Sequence, residues 1–362
     1  MSFLWNAWYC AGLSHDLGQE PLAVKILEQP LVLYRTDDGT PSCLHDRCAH
    51  RFAPLSMGKV CGDNIQCPYH GLQFGSDGIC KRNPWGNHHI PINAKVRRFP
   101  VIERDMLLWV WMGDPERACA EDVLDLAAHF NLPHHPVVYG SYSLPVYYEL
   151  VTDNLLDLSH GIYLHAGSLT NGEESSGELQ VDVQVEGNVV AALHRRLNEA
   201  PSPHFKKSWT RSERIDHHSD MYWHAPCNLV HDVGVTAPGR PAEEGIYLHV
   251  VHLLTPVSMS ETKYHWIASR NFDIEDESVS KALQGAINHA FTQEDEPMIA
   301  AVQERMGTTD LMSLRPVLLV GDAAGMRARR LLDRLRREET VPPAVADSHV
   351  QGYSIDHIQQ TM

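Results

Sequence analysis

Cys48-Ala49-His50-Arg51 and Cys67-Pro68-Tyr69-His70-Gly71 are the stretches on which the reading of this chain turns. Each offers one thiolate and one imidazole, and the sixteen residues between Cys67 and His50 let the chain leave one loop and return beside it. Cys48 and His50 are two apart, so in an extended loop tip both side chains project to one side. Cys67 and His70 are three apart and fit a tight turn stiffened by Pro68, while Gly71 admits whatever backbone angle the exit needs. Facing loops of this kind can place both cysteines on one metal ion and both histidines on a second.

That is the ligand set of a Rieske [2Fe–2S] cluster, in which two neutral imidazoles replace two thiolates and raise the reduction potential. A structural zinc site also takes two Cys and two His, but zinc sites usually separate the cysteine pair from the histidine pair. Here each loop carries one of each. The motif therefore points to one-electron transfer, and the rest of the chain must show where the electrons go.

With 362 residues, 43% hydrophobic and 21% charged, the composition is that of a folded protein with two domains, each large enough to bury its own core. A formal charge of −16 argues against nucleic acid or an anionic membrane as partner, because both require a basic face. It leaves room for an anionic substrate, which answers to a local pocket. The longest apolar runs, such as residues 106–112, fall far short of a membrane span, and residues 1–5 lack the features of a signal peptide. The expected location is cytoplasmic. There the six cysteines outside the loops (Cys10, Cys43, Cys61, Cys80, Cys119 and Cys227) are expected as reduced thiols packed as small hydrophobes.

The first 115 residues read as strands and turns. Leu31-Val32-Leu33-Tyr34-Arg35 runs into Thr36-Asp37-Asp38-Gly39, Gln73-Phe74 leads into Ser76-Asp77-Gly78, and residues 106–111 form an apolar strand. This defines an all-β domain over residues 1–130 with the cluster loops at its tip. A linker including Asn131-Leu132-Pro133-His134-His135-Pro136 opens a second domain, residues 131–340, that mixes strands (248–254, 264–268) with helices. Residues 341–362 are expected as a loosely held tail.

A second constellation lies at residues 150–165. Asp153, Asp157 and His160 fall at i, i+4 and i+7, on one face of a helix. His165 is five residues past His160, roughly 140° further round an ideal helix, so a straight helix cannot aim both at one ion. Regular helix should end or kink between them, with Gly161 as the expected break. Two histidines and one carboxylate make the facial triad of non-haem Fe(II) oxygenases, with positions left open for O2. The carboxylate is sought in Glu294-Asp295-Glu296-Pro297, after the helical run Val279, Leu283, Ile287, Phe291; Pro297 should kink that helix, and spacing alone does not choose among the three acids.

With Asn6-Ala7-Trp8-Tyr9, the two cluster loops, Asp153-Asn154-Leu155-Leu156-Asp157, His160 with His165, Ala268-Ser269-Arg270-Asn271-Phe272 and Glu294-Asp295, the chain resembles the oxygenase components of Rieske non-haem iron aromatic oxygenases. It is most similar to the group containing vanillate O-demethylase, toluenesulfonate methyl-monooxygenase and dicamba O-demethylase, from residue 1 to about 337. The resemblance implies an α+β fold: the all-β Rieske domain, with Cys48, His50, Cys67 and His70 holding the cluster, then a helix-grip catalytic domain of antiparallel sheet and long helix. It implies His160, His165 and Asp295 as ligands of one mononuclear Fe(II), with O2 as co-substrate. It further implies a head-to-tail homotrimer in which Asp157 bridges the ligand spheres of neighbouring subunits, and Asn154 near the iron.

Electrons would come from a separate NAD(P)H-dependent flavin/iron–sulfur reductase, since no G-x-G-x-x-G follows a strand here. The substrate implied is a small aromatic acid. In relatives a histidine at the place of His252 contacts the substrate carboxylate. Alternation along Leu248-His249-Val250-Val251-His252-Leu253 puts His249 and His252 on opposite faces, and His231 or Asp232 could also enter the pocket. O-demethylation or hydroxylation leads; a ring dihydroxylase shares every metal ligand, and for a non-catalytic electron carrier the second half would be superfluous.

Overall fold

A computed structural model describes residues 3–127, 129–130, 134–174 and 177–339. The expected tail, and Asn131-Leu132-Pro133 of the expected linker, lie outside the described residues. The N-terminal part is built from short antiparallel strands in a three-stranded sheet and two four-stranded sheets. Gln29–Arg35 and Pro41–His45 pair across the turn at Thr36-Asp37-Asp38-Gly39, and Gln73–Gly75 pairs with Cys80–Arg82 across the second turn. One cluster loop follows Pro41–His45, and the other joins Asn64–Gln66 to Gln73–Gly75. Cys48 and Cys67 are part of the core beneath them, with Tyr34, Leu55, Ile65 and Phe74.

The second part is a seven-stranded antiparallel sheet. Its spatial order is Val137–Leu144, Glu261–Arg270, Ile246–Ser258, Asn228–Thr236, Ile215–His224, Val189–Glu199, Glu178–Glu186. Side chains alternate between its faces. Leu248, Val250, Leu254, Tyr264, Trp266 and Met221 point to one side, where they bury Leu150 and Leu155 of helix Tyr148–Leu156 and Leu283 and Ile287 of helix Glu277–His289. Val230, Val251, Leu253 and Ile267 point to the other, against Trp8, Trp109 and Trp111 of the N-terminal part. The fold is thus an all-β domain followed by a domain of large antiparallel sheet and helices.

Helix Ala323–Glu338 is fastened to helix Tyr148–Leu156 by buried charge. Arg329 grips Asp153 with two of its nitrogens at 2.6–2.9 Å and reaches Glu149 at 2.6 Å; Arg336 adds Tyr148 and a second contact to Glu149. Burial pushes the Asp153 carboxyl up to about 6 although Arg329 pulls it down. Such charges are tolerable inside a protein only when paired and hydrogen-bonded this fully.

The two parts are also tied by direct hydrogen bonds. Thr255 Oγ1 donates to the Cys10 carbonyl at 2.6 Å, a fully buried bond. Thr255→Val keeps the shape and removes the donor, and should lower stability by about 1–2 kcal/mol, read as a fall in the thermal or urea midpoint. None of the eight cysteines is paired in a disulfide. Cys10, Cys43, Cys80 and Cys227 are buried as expected, whereas Cys61 is half-buried and Cys119 is exposed. Among the described residues no helix is long and apolar enough to cross a membrane.

Candidate active site

The two cluster loops meet as their composition requires. The Phe52 amide donates to the Cys48 carbonyl and the Gly71 amide to the Cys67 carbonyl, closing two tight turns, and Gly71 adopts φ +75°. Both cysteines are buried, with burial pushing the Cys48 thiol up to about 12. The histidines lie further out, His50 exposed and His70 half-buried, with their Nδ1 atoms 3.2 Å apart. Two Nδ1 atoms so close suit a shared cation, since two tetrahedral bonds of about 2.1 Å span about 3.4 Å. No three of the four donors form a group within 4.8 Å, as one zinc ion would need. A buried thiol pair and an outer imidazole pair fit the dinuclear cluster instead.

The second constellation assembles where the sheet opens against its helices. Nε2 of His160 and Nε2 of His165 are 3.2 Å apart, and Asp295 Oδ1 is 3.5 and 3.4 Å from them. Among the described residues this is the group of metal-ligating side chains whose donor atoms all lie within 4.8 Å of one another. Bonds of about 2.1 Å at right angles put donors about 3 Å apart, so the three atoms match one face of an octahedral ion. Asp295 and His165 are buried.

Each histidine is aimed by its other nitrogen. His165 Nδ1 lies 2.7 Å from Glu294 Oε2; a carboxylate only accepts, so Nδ1 carries the proton and Nε2 is left as a ligand. Burial lowers the pKa of His165, but the Asp295 and Glu294 carboxylates outweigh it and hold the pKa above its ordinary value. His160 Nδ1 bonds to the backbone carbonyl of Asp157. Asn154 Nδ2 donates to Asp295 Oδ1 at 3.1 Å, which places Asn154 beside the triad. The neighbouring acids separate by direction: Asp295 faces the histidines, and Glu294 stands behind His165.

The local backbone differs from the sequence expectation in two places. Regular helix ends at Leu156, ahead of both histidines; Asp157 leaves helical geometry (φ −96°, ψ 86°), and two consecutive short turns, Leu158–His160 and Gly161–Leu164, carry His160 and bring His165 round. Gly161 is ordinary helix (φ −58°, ψ −30°), so the break comes from Asp157, whose carboxylate caps the next turn through Ser159 N and Oγ. The second ligand helix widens into a π-turn over Ala290–Asp295 before Pro297, which sits at the start of helix Glu296–Met306. A proline lacks the N–H that would bond back to Gln293, and the wider turn delivers Asp295 inward.

Two carboxylates expected on one helical face with His160 turn elsewhere. The Asp157 carboxylate does not touch His160, because Oδ1 is engaged by Ser159 and the backbone carbonyl holds the imidazole; Oδ2 accepts no hydrogen bond among the described residues. Asp153, expected on the same face, is turned to Arg329.

The triad lines a cavity of about 180 Å³, with Leu155, Leu248, Val250, Ile287 and Phe291 as its apolar walls. An apolar cavity of roughly 150 Å³ takes one benzene ring, so this space suits a single ring. His231 and His252 both line it; His252 Nδ1 is 2.6 Å from Tyr264 OH, and His231 Nε2 is 2.8 Å from Ser219 Oγ. Burial drops His231 to about 3 and His252 well below its usual range, so both are neutral hydrogen-bonding groups. Asp232 does not enter the cavity. Adjacent strand residues face opposite ways, and Asp232 is on the far side of the sheet, 3.1 Å from His218 and 3.2 Å from His249. Burial opposes its ionisation, yet hydrogen bonds from those histidines hold its pKa well below the usual range. His204 and His217 also line the cavity; nothing in the local sequence pattern distinguishes them from the chain's other histidines.

A thiolate–imidazole site on a β domain, joined to a His-His-carboxylate face on a sheet-and-helix domain, is the architecture of a Rieske-type oxygenase component. The Rieske [2Fe–2S] domain family matches residues 7–100, and the vanillate O-demethylase oxygenase C-terminal domain family matches residues 144–338. The oxygenase component of dicamba O-demethylase from Stenotrophomonas maltophilia is 34% identical over 94% of this chain and 99% of its own length. That of chloroacetanilide N-alkylformylase from Rhizorhabdus wittichii is 35% identical over 96% and 99%. Among solved structures, dicamba monooxygenase with non-haem iron and dicamba superposes with a TM-score of 0.80 at 32% identity, covering 93% of this chain and 98% of that one. The chain belongs to the vanillate O-demethylase family of Rieske oxygenase components.

Proposed function

We propose that the chain is the terminal oxygenase component of a multicomponent monooxygenase that removes the methyl group of an aromatic methyl ether, the substrate being a small aromatic acid such as a methoxybenzoate. The observation that carries this reading is the convergence of His160, His165 and Asp295 on the wall of a one-ring cavity that also holds two neutral histidines. Cys48, His50, Cys67 and His70 would hold the [2Fe–2S] cluster, and the triad one Fe(II). Bound there, the two groups supply what no side chain can: passage of single electrons and activation of O2.

The remaining work falls to the protein. Leu155, Leu248, Val250 and Phe291 exclude water and hold the ring. His231 and His252 meet the substrate carboxylate with N–H donors rather than with charge, and Tyr264 fixes the His252 ring. Glu294 and the Asp157 carbonyl keep the protons of the iron histidines on Nδ1. Insertion of one oxygen atom into the methyl C–H bond yields a hemiacetal, which falls apart to the phenol and formaldehyde. The second oxygen atom leaves as water, with two electrons from NAD(P)H delivered by a separate reductase.

The proposed assembly is a homotrimer in the cytoplasm. Its support is Asp157 Oδ2, which accepts no hydrogen bond among the described residues and, one residue past helix Tyr148–Leu156, could take an N–H from a neighbouring chain's His50 or His70. The function is tested by incubating the protein, a reductase and NADH with methoxylated and unmethoxylated benzoates. Formaldehyde should appear in step with NADH oxidation for a methoxylated acid alone. A dihydrodiol without formaldehyde would replace this reading with ring dihydroxylation.

A further inference from the structure

Beyond the iron triad and the carboxylate-facing pair, the cavity carries a polar element that the demethylation account does not use. His217 and Ser219 lie, with Leu158, Leu169, Thr170 and Ser202, on a wall shared by the triad cavity and an adjoining cavity of about 260 Å³. None of the triad residues borders that second space. His217 Nδ1 is 3.0 Å from Oε1 of Glu199, which is only 3% exposed. A carboxylate accepts and never donates, so Nδ1 carries a proton, and in the neutral ring Nε2 presents a lone pair.

That Nε2 atom is buried and has no hydrogen-bond partner among the described residues. Nε2 of His204, whose ring lies on the same cavity, is in the same condition, and burial drops His204 to about 4, so it is neutral. A buried carboxylate is a costly way to orient an imidazole that only fills space, and an apolar side chain would do that better. A polar atom on a cavity wall that has no protein partner is open to a hydrogen bond from whatever occupies the cavity.

We propose that His217 Nε2, oriented by Glu199, accepts a hydrogen bond from a ring hydroxyl of the aromatic substrate. This makes the Glu199–His217 pair the element that selects hydroxylated methoxybenzoates over their unhydroxylated counterparts. It rests on the aromatic-acid reading above and adds to it a second recognised substituent. Glu199 acts through His217 as a positioning residue, while His217 touches the substrate.

The test is calorimetric binding of vanillate and of meta-methoxybenzoate, which lacks only the ring hydroxyl, to the intact protein. Wild type should bind vanillate roughly tenfold more tightly, the worth of one well-made hydrogen bond. His217→Leu should bring the ratio to about one, His217→Gln should keep part of it through the amide oxygen, and Glu199→Gln should narrow it. In turnover, the KM for vanillate should rise in these variants while kcat changes little. A merely structural role would weaken both ligands by the same factor, leaving the ratio intact, and that result would overturn the proposal. If His217→Leu does not fold, an unchanged ratio in Glu199→Gln and His217→Gln overturns it equally. Wild type binding both acids without preference defeats this proposal alone, whereas binding neither defeats it together with the aromatic-acid reading.

Discussion

Asp295→Ala is expected to end formaldehyde production while leaving the cluster spectrum of the protein unchanged. Asp295 supplies the only carboxylate of the triad, and its Oδ1 lies 3.4–3.5 Å from both histidine nitrogens. Two imidazoles without a carboxylate lose the charge that offsets a divalent cation and one of three points of attachment. Iron content should therefore fall from roughly three per chain to roughly two. The cluster loops lie in a separate core and do not depend on this residue. Asp295→Asn separates charge from shape: it keeps a ligand atom and the contact to Asn154, and should retain some iron but little turnover. Persistence of near-normal demethylation in Asp295→Ala would remove the triad from the account.

Asp157→Asn is expected to retain both metal centres and lose about 100-fold in turnover. In Asp157 the two halves of the residue have different duties. The backbone carbonyl fixes His160 and is untouched by the substitution. The carboxylate caps the following turn through Ser159, a role that asparagine fills almost as well. What asparagine removes is the negative charge at Oδ2, which the proposed trimer would offer to a neighbouring chain's cluster histidine. The measurement is the rate of demethylation beside iron content and cluster absorption. Normal turnover in the variant would contradict a coupling role for the carboxylate, and a loss of iron would reassign that carboxylate to holding the turn that carries His160.

Much of the site was legible in the chain because its chemistry is local. The two cluster loops carry their ligands within four residues, and Gly71 and Pro68 announce the turns that bring them together. Likewise His249 and His252 had to face opposite ways once residues 246–258 formed a strand. The same alternation, applied to Asp232, shows why it parts company with His231, but a strand's sequence does not say which of its faces is inside. The helix break illustrates a different limit. Glycine allows a break without requiring one, while Asp157 made it by capping the next turn with its side chain. Glu199 and His217 lie on neighbouring strands, 18 positions apart, and only the register of the sheet brings them together.

The central claim is that the cluster loops of one chain serve the triad of another. It is tested most directly by assembling two inactive variants, His70→Ala, which lacks the donor side, and Asp295→Ala, which lacks the acceptor side. Each chain alone should yield no formaldehyde, and co-assembled mixtures should recover a substantial fraction of wild-type activity. Mixed assemblies that form and remain inactive would show that both centres must belong to one chain, and would contradict the account.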